Sequence, residues 1–170
     1  MKQHEIAAIF ARMADLLEYR GDNPFRVRAY RRAAQHLERF SGDLDRLSGS
    51  GKLEELSGIG PDLAKKIAEY LATGTIAAYE QLLRTIPPGV LDLLDVPGVG
   101  PKTARLLTER LKISSVRQLE AAAKTHRLRT LPGFQERLEK SIAAINASES
   151  DREIQAELDA MTAELWDKIP

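Results

Sequence analysis

The sequence predicts an all-α protein of two small helical lobes. Three observations predict it. Apolar residues recur at three- and four-residue spacing through almost all of the 170 residues, alternating strand patterns never persist beyond a few positions, and Gly/Pro clusters cut the periodic stretches into short helices. A chain of this length buries a real core, as one domain or as two small ones. Cysteine is absent, which excludes disulfides, zinc-thiolate sites and thiol chemistry and suits a reducing cytoplasm. The opening MKQHEIAAIFARMADLLEYR is charged throughout and lacks the apolar stretch of a signal peptide, and no segment approaches a membrane span. A cytoplasmic protein without membrane contact is expected.

The first helix carries Ile6, Ile9, Phe10, Met13, Leu16 and Leu17 on one face, and Gly21 is placed to end it. Asn23 then caps a second helix that has Pro24 at its first position, where a missing N–H costs little. In that helix Phe25, Ala29, Ala33, Leu37 and Phe40 are spaced for a core, while Arg26, Arg28, Arg31, Arg32 and Arg39 occupy its other faces. Arg28 and Arg32 are four apart, so their charges repel unless something negative lies between them. A solvated arginine face and a phosphate contact both satisfy that pattern.

A short polar element, SGDLDRLSGSG, leads to LEELSGIGPDLAKKIAEYL (residues 53–71), a small turn at ATG and a helix to about Leu83. The two prolines of TIPPGV (residues 85–90) forbid a continuous helix and set a boundary, giving a first lobe over 1–84 and a second over 85–146. The second lobe contains LDVPGVGPKTARLL (residues 94–107), a helix to about Leu111, another near 115–124, and RTLPGFQERLEKSIAAI. Residues 147–170 form an acidic segment with Ile154, Leu158, Met161, Leu165 and Trp166 on one side, capped by Ser150 or Asp151. That stripe is expected to pack on the body, on a second copy or on a protein partner. Formal net charge is zero, with +5 through residue 146 balanced by −5 in the tail, so the basic body keeps nucleic acid open as a partner.

One unit is written twice: an apolar residue, a Gly-hydrophobic-Gly turn, and a helix opened by proline. Gly58, Ile59 and Gly60 form the first turn and Gly98, Val99 and Gly100 the second, with Leu56 and Val96 two positions ahead. A degraded third copy begins at Gly133, where Gln135 replaces the second glycine. Glycines at such a turn permit positive φ and leave no Cβ in the way of a partner. The free N–H groups of the new helix then point outward at the positive end of its dipole, which makes a phosphate site.

These turns resemble the helix-hairpin-helix motifs that grip the DNA sugar-phosphate backbone without reading bases. Taken together, NPFRVRAYRRAA, LSGIGPDLAKKIAEYLATG, IPPGVLDLLDVPGVGPKTARLL and RTLPGF are similar, over about residues 1–145, to the N-terminal part of bacterial family X DNA polymerases. The resemblance implies a small lyase-like helical domain followed by a DNA-binding subdomain. It also implies a monovalent cation, potassium or sodium, bridging protein to phosphate through the carbonyls of Glu54, Leu56 and Ile59 and of Leu94, Val96 and Val99. Lys102, Thr103 and Arg105 at the second hairpin, with Arg26, Arg28 and Arg32 of the second helix, are the further DNA-contact candidates.

No strand region follows residue 145 to hold the metal-binding carboxylates of nucleotidyl transfer, so polymerase activity is not expected. Asp43 and Asp45 read as solvated acids. The histidines His4, His36 and His126 have no ligand spacing, and no other cofactor is expected. By resemblance Lys66 occupies the place of a Schiff-base lysine that opens 5′-deoxyribose phosphate ends, with Tyr30 in support. On the helix Lys66 falls at the edge of the Leu63, Ile67, Tyr70 face, whereas Lys65 points away and is spaced to pair with Glu69. Where animal members carry further lysines this chain has Asp62 and Ala78. The leading expectation is non-sequence-specific DNA binding at gaps, nicks or damage in repair. A lyase using Lys66 and a protein interaction scaffold are the alternatives.

Overall fold

A computed structural model describes residues 1–131 together with Ile142, Glu157, Leu158, Ala160 and Met161. Among the described residues there is helix, turn and no strand. Eight α-helices are bounded within residues 1–131: α1 (Lys2–Tyr19), α2 (Pro24–Arg39), α3 (Leu44–Gly49), α4 (Pro61–Thr73), α5 (Ala77–Arg84), α6 (Pro88–Leu94), α7 (Pro101–Leu111) and α8 (Val116–Lys124). Single 3-10 turns at Leu53–Glu55 and Arg127–Thr130 complete them. None of these helices is long and apolar enough to cross a membrane. The contacts divide the chain into two compact units, residues 1–88 with 100–105, and residues 89–99 with 106 onward.

The first unit is built on the α1–α2 pair. Phe10 and Tyr30 meet edge to face, their ring centroids 5.6 Å apart at 81°, in a core completed by Ile6, Met13, Leu16 and Leu17 of α1 and Leu37 of α2. Arg31 spans the two helices. It donates to Asp15 at 2.9 Å and to Glu18. Burial by itself would lower the Arg31 pKa, but the hydrogen bonds and charges of the two carboxylates outweigh it and the pKa is raised. Asn23 caps α2 by accepting from the Phe25 N–H at 2.9 Å, with Pro24 next to it as the sequence predicts.

One part of the α2 expectation is corrected. The buried face is Val27, Tyr30, Ala33, Ala34 and Leu37, whereas Phe25 is 74% exposed and Ala29 lies at the surface. The helix has two overlapping apolar stripes that share Ala33 and Leu37. The one carrying Tyr30 wins because its ring packs on Phe10.

The two acids of the polar element have structural work. Asp43 caps α3 through the Arg46 N–H at 3.2 Å, and Asp45 pairs with Lys2 at 3.2 Å. At the far end of α4, Glu69 is corrected from its expected pairing with Lys65: its Oε1 accepts from the Ala77 N–H at 2.6 Å and so caps α5. Tyr70 of α4 donates its hydroxyl to Glu5 of α1. That hydrogen bond, then desolvation and the nearby negative charge, raise the Tyr70 pKa above the ordinary 10. In an ultraviolet titration of the phenols, Tyr70 is expected to ionise above that value, and Glu5→Gln to bring its midpoint down. An unchanged midpoint in the variant would rule out the contact.

The second unit gathers Val90, Leu93, Val96, Val99, Leu107, Ile113, Leu119, Ala122, Leu128, Leu131 and Ile142 into its own core. Ser115 caps α8 by accepting from the Gln118 N–H at 3.2 Å, while Gln118 accepts in return from the Ser114 N–H at 2.8 Å. The third copy at Gly133 and Gln135 lies outside the described residues, as does most of the tail. Leu158 and Met161 are helical and exposed.

Candidate nucleic-acid interface

The two Gly-x-Gly turns have the same local geometry. In the first, the Ile59 N–H donates to the Leu56 carbonyl at 3.1 Å and Gly58 has φ +79°. In the second, the Val99 N–H donates to the Val96 carbonyl at 3.0 Å and Gly98 has φ +89°. Each is a type II turn, which needs positive φ at its third residue and favours proline at its second, the place of Pro97. A helix starts two residues later in both, with Ala64 donating to Gly60 and Ala104 to Gly100 at 2.9 Å. Proline holds the first helical position each time, so the N–H groups of the next two residues head the helix without intrahelical partners.

The glycines in each pair serve different ends. A Cβ on Gly58 would lie 2.8 Å from His36 Cδ2 and 3.3 Å from Arg32 Cγ, so this glycine is required by its φ and by packing against α2. Gly60 and Gly100 face open space, with nothing within 4 Å of a Cβ built on either. Among the described residues no steric constraint explains a missing side chain there. Ile59 and Val99, each 5% exposed, sink their side chains into the cores and offer a partner only their main chain.

The basic candidates are placed unevenly. Lys102, next to the second turn, has a side chain 86% exposed and lies 4.0 Å from Glu18. Thr103 is half-buried and Arg105 exposed on the same helix. Arg26 approaches Asp22 at 3.8 Å. Arg28 sits over the Phe25 ring, 4.7 Å from its centroid, so an exposed aromatic and a guanidinium form one platform at the start of α2. Sequence reasoning assigned Phe25 to the core. The signal that distinguishes it is its position beside Pro24 in the first turn, two steps past the Asn23 cap.

Lys66 is held by both oxygens of Asp62 at 2.8 Å, with only 13% of its side chain exposed. The carboxylate is a partner for the ammonium form, whereas a nucleophile must be the free amine. Tyr30 is 1% exposed and packed on Phe10, and its hydroxyl is buried without a hydrogen-bond partner among the described residues. Groups of three or more potential metal-ligating side chains are absent among the described residues.

Paired glycine turns, each opening a proline-led helix, define the class. Residues 1–76 match the helix-hairpin-helix domain, and residues 90–144 match the SAM-like helix-hairpin-helix tandem. The chain thus carries two segments similar to helix-hairpin-helix domains, and it resembles the N-terminal region of bacterial family X polymerases. It is 33% identical, over 142 residues and 84% of its length, to the DNA polymerase/3′-5′ exonuclease PolX of Bacillus subtilis (strain 168). The chain spans 24% of that relative's length.

Proposed function

We propose that the protein binds DNA through its sugar-phosphate backbone, independent of sequence, at gapped, nicked or damaged sites during cytoplasmic DNA repair. The observation that carries this reading is the doubled turn with an open second glycine, which leaves backbone N–H groups accessible at the positive end of a helix. Lys102 supplies a charge beside the second turn, and the Phe25–Arg28 platform supplies a surface on which a base can stack. The family of the relative supports DNA as the partner.

The residues fit a monovalent cation as well. The Leu56 and Val96 carbonyls each accept one turn hydrogen bond and keep a second lone pair. Together with Glu54 and Ile59, and with Leu94 and Val99, they would supply the hard oxygen donors that sodium or potassium takes. Such an ion adds positive charge between turn and phosphate.

Fluorescence anisotropy with two duplexes of unrelated sequence, measured over a salt series, tests the reading. Equal affinities within about twofold are expected, with Lys102→Ala reducing the slope of log K against log salt by about one. A strong preference for one sequence, or no binding at low salt, would overturn it, and the second outcome would favour a protein scaffold.

The Asp62 clamp favours a structural Lys66 over a Schiff-base nucleophile. Borohydride treatment with a 5′-deoxyribose phosphate substrate is expected to leave no more adduct on the natural chain than on Lys66→Ala. A covalent adduct abolished by that substitution would establish the lyase instead.

A further inference from the structure

A cleft of about 230 Å³ lies beside the first hairpin turn, and neither the backbone grip nor the Phe25 platform uses it. Its apolar part is Phe40, Leu56 and Ile59, buried or half-buried. Its polar part is the exposed His36, Arg39 and Ser57. Leu56 and Ile59 are the two ends of the type II turn, so whatever enters the cleft touches the same loop that faces the phosphates. The α2 side brings Arg32 and His36 against Gly58 and Arg39 one turn on, a basic edge suited to an anionic strand.

We propose that this cleft receives a single unpaired nucleobase belonging to the strand held by the first hairpin, an inference that rests on the backbone-binding reading. The chemistry matches a base on both counts: planar apolar faces for Phe40, Leu56 and Ile59, and polar ring edges for His36, Arg39 and Ser57. The size matches too, because the cleft is smaller than the roughly 300–1,000 Å³ of pockets for drug-sized ligands and suits one ring system. A base inside an intact duplex is stacked and cannot enter. An unpaired one has little stacking to lose, so the cleft gives preference to strands with an extrahelical or single-stranded nucleotide.

The test uses the full chain and three dye-labelled duplexes that differ at one point: fully paired, with one extra adenine, and with one extra tetrahydrofuran unit that has the backbone but no base. The extra-adenine duplex is expected to bind about fivefold or more tightly than the other two. Phe40→Ala, checked for retained helicity by circular dichroism, is expected to remove that preference and leave affinity for the paired duplex in place. The duplex comparison stands even if the variant fails to fold. Equal binding of the adenine and tetrahydrofuran duplexes, or of all three, would overturn the cleft and leave the hairpin grip intact. No binding to any of them would overturn the grip and the cleft together.

Discussion

Gly60→Ala and Gly100→Ala, made together, are expected to leave the fold standing and to weaken duplex binding by about a hundredfold. Both positions open onto empty space, and neither has the positive φ that excludes a side chain. The cost to the chain is therefore that of alanine at a helix cap, about 1 kcal/mol or less at each. The new methyl groups occupy the clearance through which a phosphate reaches the helix N-terminus. Each lost charge-assisted contact is worth about 1.5 kcal/mol or more, or roughly tenfold per hairpin. Gly58→Ala gives the opposite pattern. Its φ of +79° and the approach of His36 at 2.8 Å predict a lower melting temperature even without DNA, since left-handed backbone alone costs an L-residue about 1–2 kcal/mol. Thermal melts and anisotropy on all the variants separate the two cases, and a double variant that binds duplex normally would contradict the grip.

The largest expected loss of stability comes from Phe10→Ala, about 3–5 kcal/mol. Phe10 is fully buried and meets Tyr30 edge to face, so truncation removes both the transfer energy of the ring and the aromatic contact and leaves a cavity between α1 and α2. Urea unfolding followed by circular dichroism measures it. Tyr30→Phe serves as the companion. Its hydroxyl is buried without a partner among the described residues, so removing it leaves no orphaned group there and is expected to be neutral or slightly stabilising. A Tyr30→Phe variant losing 2 kcal/mol or more would show that the hydroxyl has a structural partner after all.

The site was legible where a single local rule decides. The type II turns follow from Gly58 and Gly98 with Pro97, and the α2 start from Asn23 and Pro24. These are backbone preferences acting over four residues, and neighbours cannot easily overrule them. The reading failed where two local rules competed. Asp62–Lys66 and Lys65–Glu69 are both opposite-charge pairs at i, i+4, and the acid-first order favours Asp62–Lys66, the pair the reading passed over. The structure separates them because Glu69 has a better use at the unsatisfied Ala77 N–H, the start of α5. That leaves Asp62 and Lys66 as the pair on α4. The Phe25 expectation failed for a similar reason: α2 offers two apolar stripes, and only the shape of Phe10 on another helix selects between them.

The Arg31 contacts also bear on behaviour under heat. One guanidinium holds two carboxylates of α1, so the α1–α2 joint is partly ionic as well as apolar. The dehydration penalty of ion pairs shrinks as temperature rises, while hydrophobic stabilisation levels off. The joint therefore gains relative strength on warming, and the α1–α2 hairpin is expected to be the last part of the first unit to lose its amide-exchange protection.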